Sequence, residues 1–255
     1  MYAEERQHAI ATLVAERGRV AVTSVADQFG VTTETVRRDL ALLERVGLLH
    51  RVHGGAVSAG ALTLVETGLA ERHGHRAESK RKIAAAAADL LPGADGSLIL
   101  DGGSTTAALA DVLPTDRRLY VATNSVPIAG RLSLSPGITL HVLGGRVRGV
   151  TQTAAGESTI RALADLRTDV AFLGANGISS AHGFSTPDEA EAATKRAMTR
   201  SAQRVVVLAD SSKLGREHLV RFAEVPAIDV LVTDDEADPA LIAELEQQGL
   251  EVIVA

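Results

Sequence analysis

Five short runs of small polar residues stand out as groups that could hold an anion: Asp101-Gly102-Gly103-Ser104-Thr105-Thr106, Thr123-Asn124-Ser125, Gly144-Gly145, Gly174-Ala175-Asn176-Gly177 and Asp210-Ser211-Ser212-Lys213. Glycine lets a backbone approach a ligand closely, and serine and threonine hydroxyls join helix N-terminal amides in donating to anionic oxygens. One such run is ordinary turn chemistry; five in one half of a chain favour a polar, phosphorylated ligand. The chain has only four lysines, Lys80, Lys82, Lys195 and Lys213, among 26 basic residues. Lys195 and Lys213 fall near these runs and are candidate partners for the anion. Glu191 and Lys195 are also spaced i,i+4, which predicts a surface ion pair as the alternative role for Lys195.

The elements that position these runs alternate. Strands are expected at 98–100, 119–122, 138–143, 170–173, 205–209, 228–232 and 251–254. Helices are expected at 82–91, 105–113, 127–134, 158–166, 189–201 and 239–248. The strands are short and apolar on both faces, which predicts a mainly parallel sheet covered by helices on both sides. Each polar run directly follows a strand, and ligands of open α/β sheets bind at the carboxyl ends of strands.

The first 57 residues follow a different pattern. Ile10, Leu13 and Val14 give a helix over 3–17 that Gly18 ends. Ser24-x-x-Asp27 has capping-box spacing for a second helix to Phe29. Thr32 caps a third helix to Arg45 across the Gly30-Val31-Thr32 turn, and the pair has helix-turn-helix spacing. On the third helix Val36, Leu40 and Leu43 face a core. Glu34, Arg38, Ala41 and Arg45 face outward, with Arg37 on the shoulder. Arginine matches guanine edges and phosphates, and Thr32, Thr33 and Thr35 at the helix start can donate to phosphate. A solvated face with a Glu34–Arg38 pair is the plainer alternative. Residues 48–57 favour the first reading. They look like two strands around a basic tip, the wing of a winged helix, where Arg51, His53 and Gly54 would meet the DNA backbone or minor groove. Ser24 is a further hydroxyl candidate for phosphate.

Composition sets the limits. The chain has 255 residues, a net charge of −6 and no cysteine, which excludes disulfides, thiolate catalysis and cysteine-based metal sites. Residues 1–57 hold seven arginines and seven acids, so any polyanion must be met locally rather than by overall charge. No segment approaches the ~20 apolar residues of a membrane span, no secretory signal is visible at the start, and a cytoplasmic protein is expected. Residues 58–79 lack periodicity and read as a linker between a domain at 1–57 and another at 80–255. Its His73 and His75 read as solvated rather than as metal ligands. No metal or cofactor is expected.

Glu5-Arg6, Val31-Thr32-x-x-Thr35-Val36-Arg37-Arg38-Asp39-Leu40-x-x-Leu43-Glu44, Gly47-Leu48-Leu49 and Arg51-Val52-His53-Gly54-Gly55-Ala56 resemble the DeoR family of bacterial repressors. The second half is similar to that family's sensor domain in Asp101-x-Gly103-Ser104-Thr105-Thr106, Thr123-Asn124-Ser125, Leu143-Gly144-Gly145, Gly174-x-Asn176-Gly177-Ile178, Lys195-Arg196-x-Met198 and Asp210-Ser211-Ser212-Lys213. The resemblance implies the fold of ribose-5-phosphate isomerase and glucosamine-6-phosphate deaminase, a sugar-phosphate effector bound at these runs, an operator DNA partner and a homo-oligomer, dimer or tetramer. The opening Met-Tyr-Ala-Glu-Glu-Arg-Gln and the third-helix motif look most like fructose-operon repressors of high-GC bacteria, which implies fructose 1-phosphate. The alternative is a sugar-phosphate isomerase or deaminase, since Asp101, Glu189, Lys195 and Lys213 are of the right kind for proton transfer. Against it, Asn176-Gly177-Ile178 stands where the deaminases carry Asp-Gly-His, and fold alone confers no activity.

Overall fold

A computed structural model of the chain describes residues 2–52, 54–58 and 68–255, which fall into two compact units, Met1–Thr67 and Gly68–Ala255. The first unit begins with helix α1 (Ala3–Arg17), ended by Gly18 in the left-handed conformation. Strand β1 (Arg19–Ala21), α2 (Val22–Phe29), α3 (Thr33–Arg45) and the hairpin β2 (Leu49–Val52) and β3 (Gly55–Ser58) follow. The three strands pair antiparallel in the order β1-β3-β2. Ile10, Val14, Val25, Val36 and Leu49 are fully buried between helices and wing. Two differences from expectation share one cause. The β1 strand is too short to show a period, and it leads straight into α2, so α2 starts at Val22 and Ser24 is not its cap. Its first amide is satisfied instead by the wing, Val22 N–H donating to Gly54 O at 2.7 Å. The close approach explains Gly55, where a Cβ would come within 2.0 Å of Val20 O.

The second unit opens with α4 (Leu69–Gly74) and α5 (Ala77–Ala88). Helix α5 starts before the expected Lys82, because Arg76 takes a left-handed conformation that turns α4 into α5. Then come β4 (Gly96–Leu100), α6 (Ser104–Asp111), β5 (Leu119–Thr123), α7 (Val126–Leu132), β6 (Ile138–Val142), the hairpin β7 (Arg146–Arg148) and β8 (Thr153–Ala155), and α8 (Glu157–Ala164). After these follow β9 (Thr168–Gly174), β10 (Gly177–Ser179), β11 (Gly183–Thr186), α9 (Glu189–Arg200), β12 (Ala202–Leu208), β13 (Val220–Ala223), β14 (Val230–Thr233), α10 (Pro239–Glu246) and β15 (Glu251–Val254). Seven strands form one sheet in the order β15-β14-β12-β9-β4-β5-β6, parallel at every pairing.

Strand period two explains why these strands read as unbroken apolar runs. Leu98, Leu100, Val121, Phe172 and Val206 point to one core, with α5, α6 and α7. Ile99, Ala122, Ala171, Leu173 and Val207 point to the other, with α8 and α9. Burying the eight larger of these side chains at ~1.5–3 kcal/mol each is the main force holding the sheet. Strand order reverses direction between β4 and β9, so the topological switch point, the usual ligand crevice, lies at the ends of those two strands.

Candidate functional site

In the first unit α3 carries the candidate nucleic-acid contacts. Thr32 caps it, its hydroxyl accepting from Thr35 N–H at 3.2 Å and lying 2.9 Å from the Thr35 hydroxyl. Val36, Leu40 and Leu43 are buried as expected, while Glu34, Arg37 and Arg38 project outward. The side chain of Arg38 is 80% exposed; its only ion pair among the described residues is with Glu34, at 3.6 Å, and Arg37 reaches the same carboxylate at 3.8 Å. Exposed pairs of this kind are worth little, so phosphate or a base edge can compete for either arginine. Arg51 is tied down more firmly, its backbone and guanidinium both donating to Glu44 at 2.9 and 2.8 Å. Gly54 turns the wing in a left-handed conformation, and Ser24 is exposed on α2. His53 lies outside the described residues. A residue the motif alone did not explain holds the unit together: buried Asp39 on α3 accepts from Arg6 Nε at 2.6 Å and from Gln7 Nε2 at 2.9 Å on α1.

In the second unit the five polar runs all fall at the carboxyl edge of the parallel sheet. At the switch point Asp101, ending β4, accepts from Gly174 N–H of β9 at 3.1 Å and from Lys195 of α9. Lys195 also donates to Gly174 O at 2.9 Å and sits 5.5 Å from the centre of the Phe222 ring. Asp101, Lys195 and Glu191 are all buried. The expected Glu191–Lys195 surface pair is therefore not what forms. Lys195 points inward to Asp101, and Glu191 is taken by Arg148 at 2.6 Å and by the hydroxyls of Thr151 and Thr153 at 2.5 and 3.1 Å. Burial pushes the Glu191 carboxyl up, but Lys195, Thr151 and Arg148 outweigh it and hold it below its ordinary value.

Asp101, Gly102, Asn124, Thr153, Glu191, Thr194 and Lys195 line one small pocket. Asn124 is fixed at both ends, accepting from Gly102 N–H at 3.2 Å and donating to Ala154 O at 3.0 Å. Thr123 donates to Leu100 O at 2.6 Å, and Ser125 caps α7. Thr106 donates to Gly103 O in the first turn of α6, beside Ser104 and Thr105. Gly144 and Gly145 start the β7–β8 hairpin; a Cβ on Gly145 would meet the Thr159 hydroxyl at 2.2 Å. Asn176 is held through its backbone, donating to Ser185 O at 3.1 Å.

Asp210 and Lys213 do not line that pocket. They belong to a second, cationic cluster at the end of β12. Burial pushes the Lys213 ammonium down to about 8, only partly offset by Asp210, with Arg216, Arg72 and Lys80 adding like charge. Lys80 of α5 is buried, donates to Arg72 O at 2.6 Å and to His75 O, and is also shifted down, by burial first. Burial opposes the Asp210 charge too, but Lys213, the Ser212 hydroxyl and Lys80 keep its carboxyl below the ordinary range. Sequence reasoning missed Lys80, Thr153 and Thr194 as site residues. For Lys80 the one signal was the scarcity of lysine, set against a charge-dense run that reads as solvated; the two threonines carried none. Among the described residues no group of three histidines and acids is placed to hold a metal ion, and no helix is long and apolar enough to cross a membrane.

Comparison with known proteins agrees with both units. The DeoR-like helix-turn-helix domain matches residues 6–61, and the DeoR C terminal sensor domain matches residues 75–235. The HTH-type transcriptional repressor GlcR of Bacillus subtilis is 34% identical over 254 residues, covering 100% of this chain and 97% of that protein. The lactose phosphotransferase system repressor of Streptococcus mutans is 33% identical, covering 94% and 96%. The full-length sorbitol operon regulator SorC of Klebsiella pneumoniae overlays with a TM-score of 0.44 at 13% identity, covering 94% of this chain and 97% of that one. With a winged helix at one end, a sensor domain at the other and repressors aligned along its whole length, the chain is a regulator and not an enzyme, and it belongs to the DeoR family of helix-turn-helix transcriptional regulators.

Proposed function

We propose that the protein represses a sugar-catabolism operon in the cytoplasm and is released from its operator by a phosphorylated sugar, with fructose 1-phosphate the first candidate. The observation that carries this reading is the placement of the lysines. Of four in the chain, Lys80 and Lys195 are buried and Lys213 is half-buried, all at the end of the unit where the β-strands finish, while Lys82 is exposed. Burying an ammonium costs free energy unless an anion compensates. Asp101 compensates Lys195, whereas the single carboxylate of Asp210 faces both Lys213 and Lys80, and Arg76 beside it is also paired with Asp234 and Glu236. That surplus of positive charge suits a phosphate, for which Ser104, Thr105, Thr106 and the first amides of α6 are further donors. The sugar hydroxyls then fall to the Asp101–Asn124–Lys195 pocket, with Thr123, Ser125, Gly103, Gly144, Gly145 and Asn176 shaping its surroundings.

On the DNA side Thr32, Thr33, Glu34, Thr35, Arg37 and Arg38 enter the major groove, while Ser24, Arg51, His53 and Gly54 meet backbone or minor groove. One small head with no net charge neutralises few phosphates, so two heads on paired half-sites, hence a homo-oligomer, are needed at cellular salt. The test is calorimetry and an operator-release assay with fructose 1-phosphate, glucose 6-phosphate and glycerol 3-phosphate. One of them should bind the chain and release the operator. If none does either, the sensor reading is wrong.

A further inference from the structure

The β7–β8 hairpin lies over the pocket and also touches the point where the chain enters the sensor unit. Its β8 side is stitched to the β5–α7 turn: Ala154 N–H donates to Asn124 O at 2.8 Å, and Val126 N–H to Gln152 O at 3.0 Å. Thr153 presses on the floor; a Cβ on Gly102 would come within 2.0 Å of its methyl. The β7 side is latched by Arg148 to Glu191 at 2.6 Å and to Asp188 at 3.2 Å on the start of α9. At the tip, Val150 O accepts from Leu69 N–H at 2.9 Å. Leu69 is buried and opens α4, the first described element of the sensor unit.

Three features make this hairpin a movable part. Its roots, Gly145 and Gly156, both have positive φ, at 154° and 99°, a freedom suited to hinges. Its turn holds Gln152 in a left-handed conformation, φ 55°, which costs a non-glycine residue free energy and is kept there by the bonds of Gln152 to Arg148 O and Val126 N–H. Below it, the pocket is a cavity of about 10 Å3, room for one water molecule and not for a sugar.

From the hairpin's contacts on both sides we infer that it is the relay of the repressor: effector entering beside Lys195 lifts Thr153 off Gly102, and the same movement withdraws Val150 from Leu69, freeing the start of α4 and the chain that leads to the DNA-binding unit. This rests on the sugar-phosphate reading above and names how that site regulates. The hairpin is a single two-position element that pocket and entry point both bias, which is what a coupling free energy between the two sites requires.

The chain has no cysteine, so the tip can be locked cleanly. In the full-length Leu69→Cys/Val150→Cys variant, bond formation is verified by mass, and operator release by the same three sugar phosphates is compared before and after reduction. The oxidised form should need at least tenfold more effector for release, and reduction should restore the wild-type curve; identical curves would overturn the relay. On the wild-type protein, hydrogen exchange at the Leu69 and Ala154 amides should quicken at least tenfold when the releasing sugar phosphate is added, and unchanged or slower exchange refutes the movement. If no sugar phosphate binds wild type by calorimetry, the sensor reading fails and the relay falls with it. If one binds and releases operator while lock and exchange are silent, only the relay is lost.

Discussion

Replacing Lys195 by methionine keeps an unbranched side chain at this position and removes the charge that sits over the Phe222 ring. Asp101 then remains as a buried carboxylate with the Gly174 amide as its one remaining partner among the described residues, and Gly174 O loses its donor. Both side chains of the pair are nearly inaccessible, at 6% and 3% exposure. Removing one member of so enclosed a pair costs about 3–5 kcal/mol. For a unit of this size each kcal/mol lowers the midpoint by ~2–4 °C, so Lys195→Met should lower the melting temperature of the sensor unit by about 6–20 °C. Replacing both members removes the stranded charge, so Lys195→Met/Asp101→Asn should recover at least about half of that loss. Scanning calorimetry of wild type, both single variants and the double variant closes the cycle. A loss below about 1 kcal/mol for Lys195→Met, or a double variant less stable than either single one, refutes the view that the pair holds the switch point together. The same numbers bear on effector binding: a loss of sugar-phosphate response in Lys195→Met is evidence of a binding role only where the double variant, folded, loses it too.

Arg38→Ala should weaken specific operator binding by about 1–3 kcal/mol, as expected for a base or bidentate contact, while the melting temperature stays at the wild-type value; fluorescence anisotropy with operator and random duplexes checks it. Effector affinity should be flat from pH 7 to about 8 and then fall by up to about tenfold per pH unit, because above its depressed value of about 8 Lys213 must take up a proton to meet the phosphate. Titration calorimetry across that range tests it, and an affinity unchanged at pH 9.5 removes Lys213 from the site. Asp39→Ala should loosen α1 from α3, so that the head unit melts lower and operator affinity falls with it, whereas Arg37→Ala leaves melting unchanged; thermal scans of both variants separate the two roles.

Most of the sheet was legible because buried parallel strands announce themselves as short apolar runs, and because five of the seven are followed by the polar turn that a ligand crevice needs. The recognition helix was equally readable, since a cap at Thr32, a core stripe at Val36, Leu40 and Leu43 and a bounding Gly30 all agree. What escaped were three-residue and four-residue strands, β1, β7, β8, β10, β11 and β13, each too short to show a period. The pocket chemistry escaped for a related reason. A helical i,i+4 spacing predicts that Lys195 meets Glu191, but tertiary placement brings Asp101, 94 positions away, within reach first. Lys80 was concealed in the opposite sense: a buried cation inside a run of charges cannot be told from its solvated neighbours. Gly102 carried no signal in itself, because what it avoids is a methyl group on the hairpin above.

The pairing at the switch point also sets a timetable for biosynthesis. Leu98 of β4 lies beside Val170 of β9, so at ~5–20 residues per second the ribosome delivers that neighbour only some seconds later. The head unit, built from helices and a hairpin close in sequence, is complete long before then, and a nascent chain carries a finished DNA-binding module ahead of any sensor to govern it. Through that interval Leu98, Ile99 and Leu100 have only β5 beside them in the sheet, and one flank of an apolar strand stays open to other chains. Slow synthesis or truncation anywhere between β6 and β9 would thus yield fragments that carry a folded head at one end and an apolar strand with an open flank at the other.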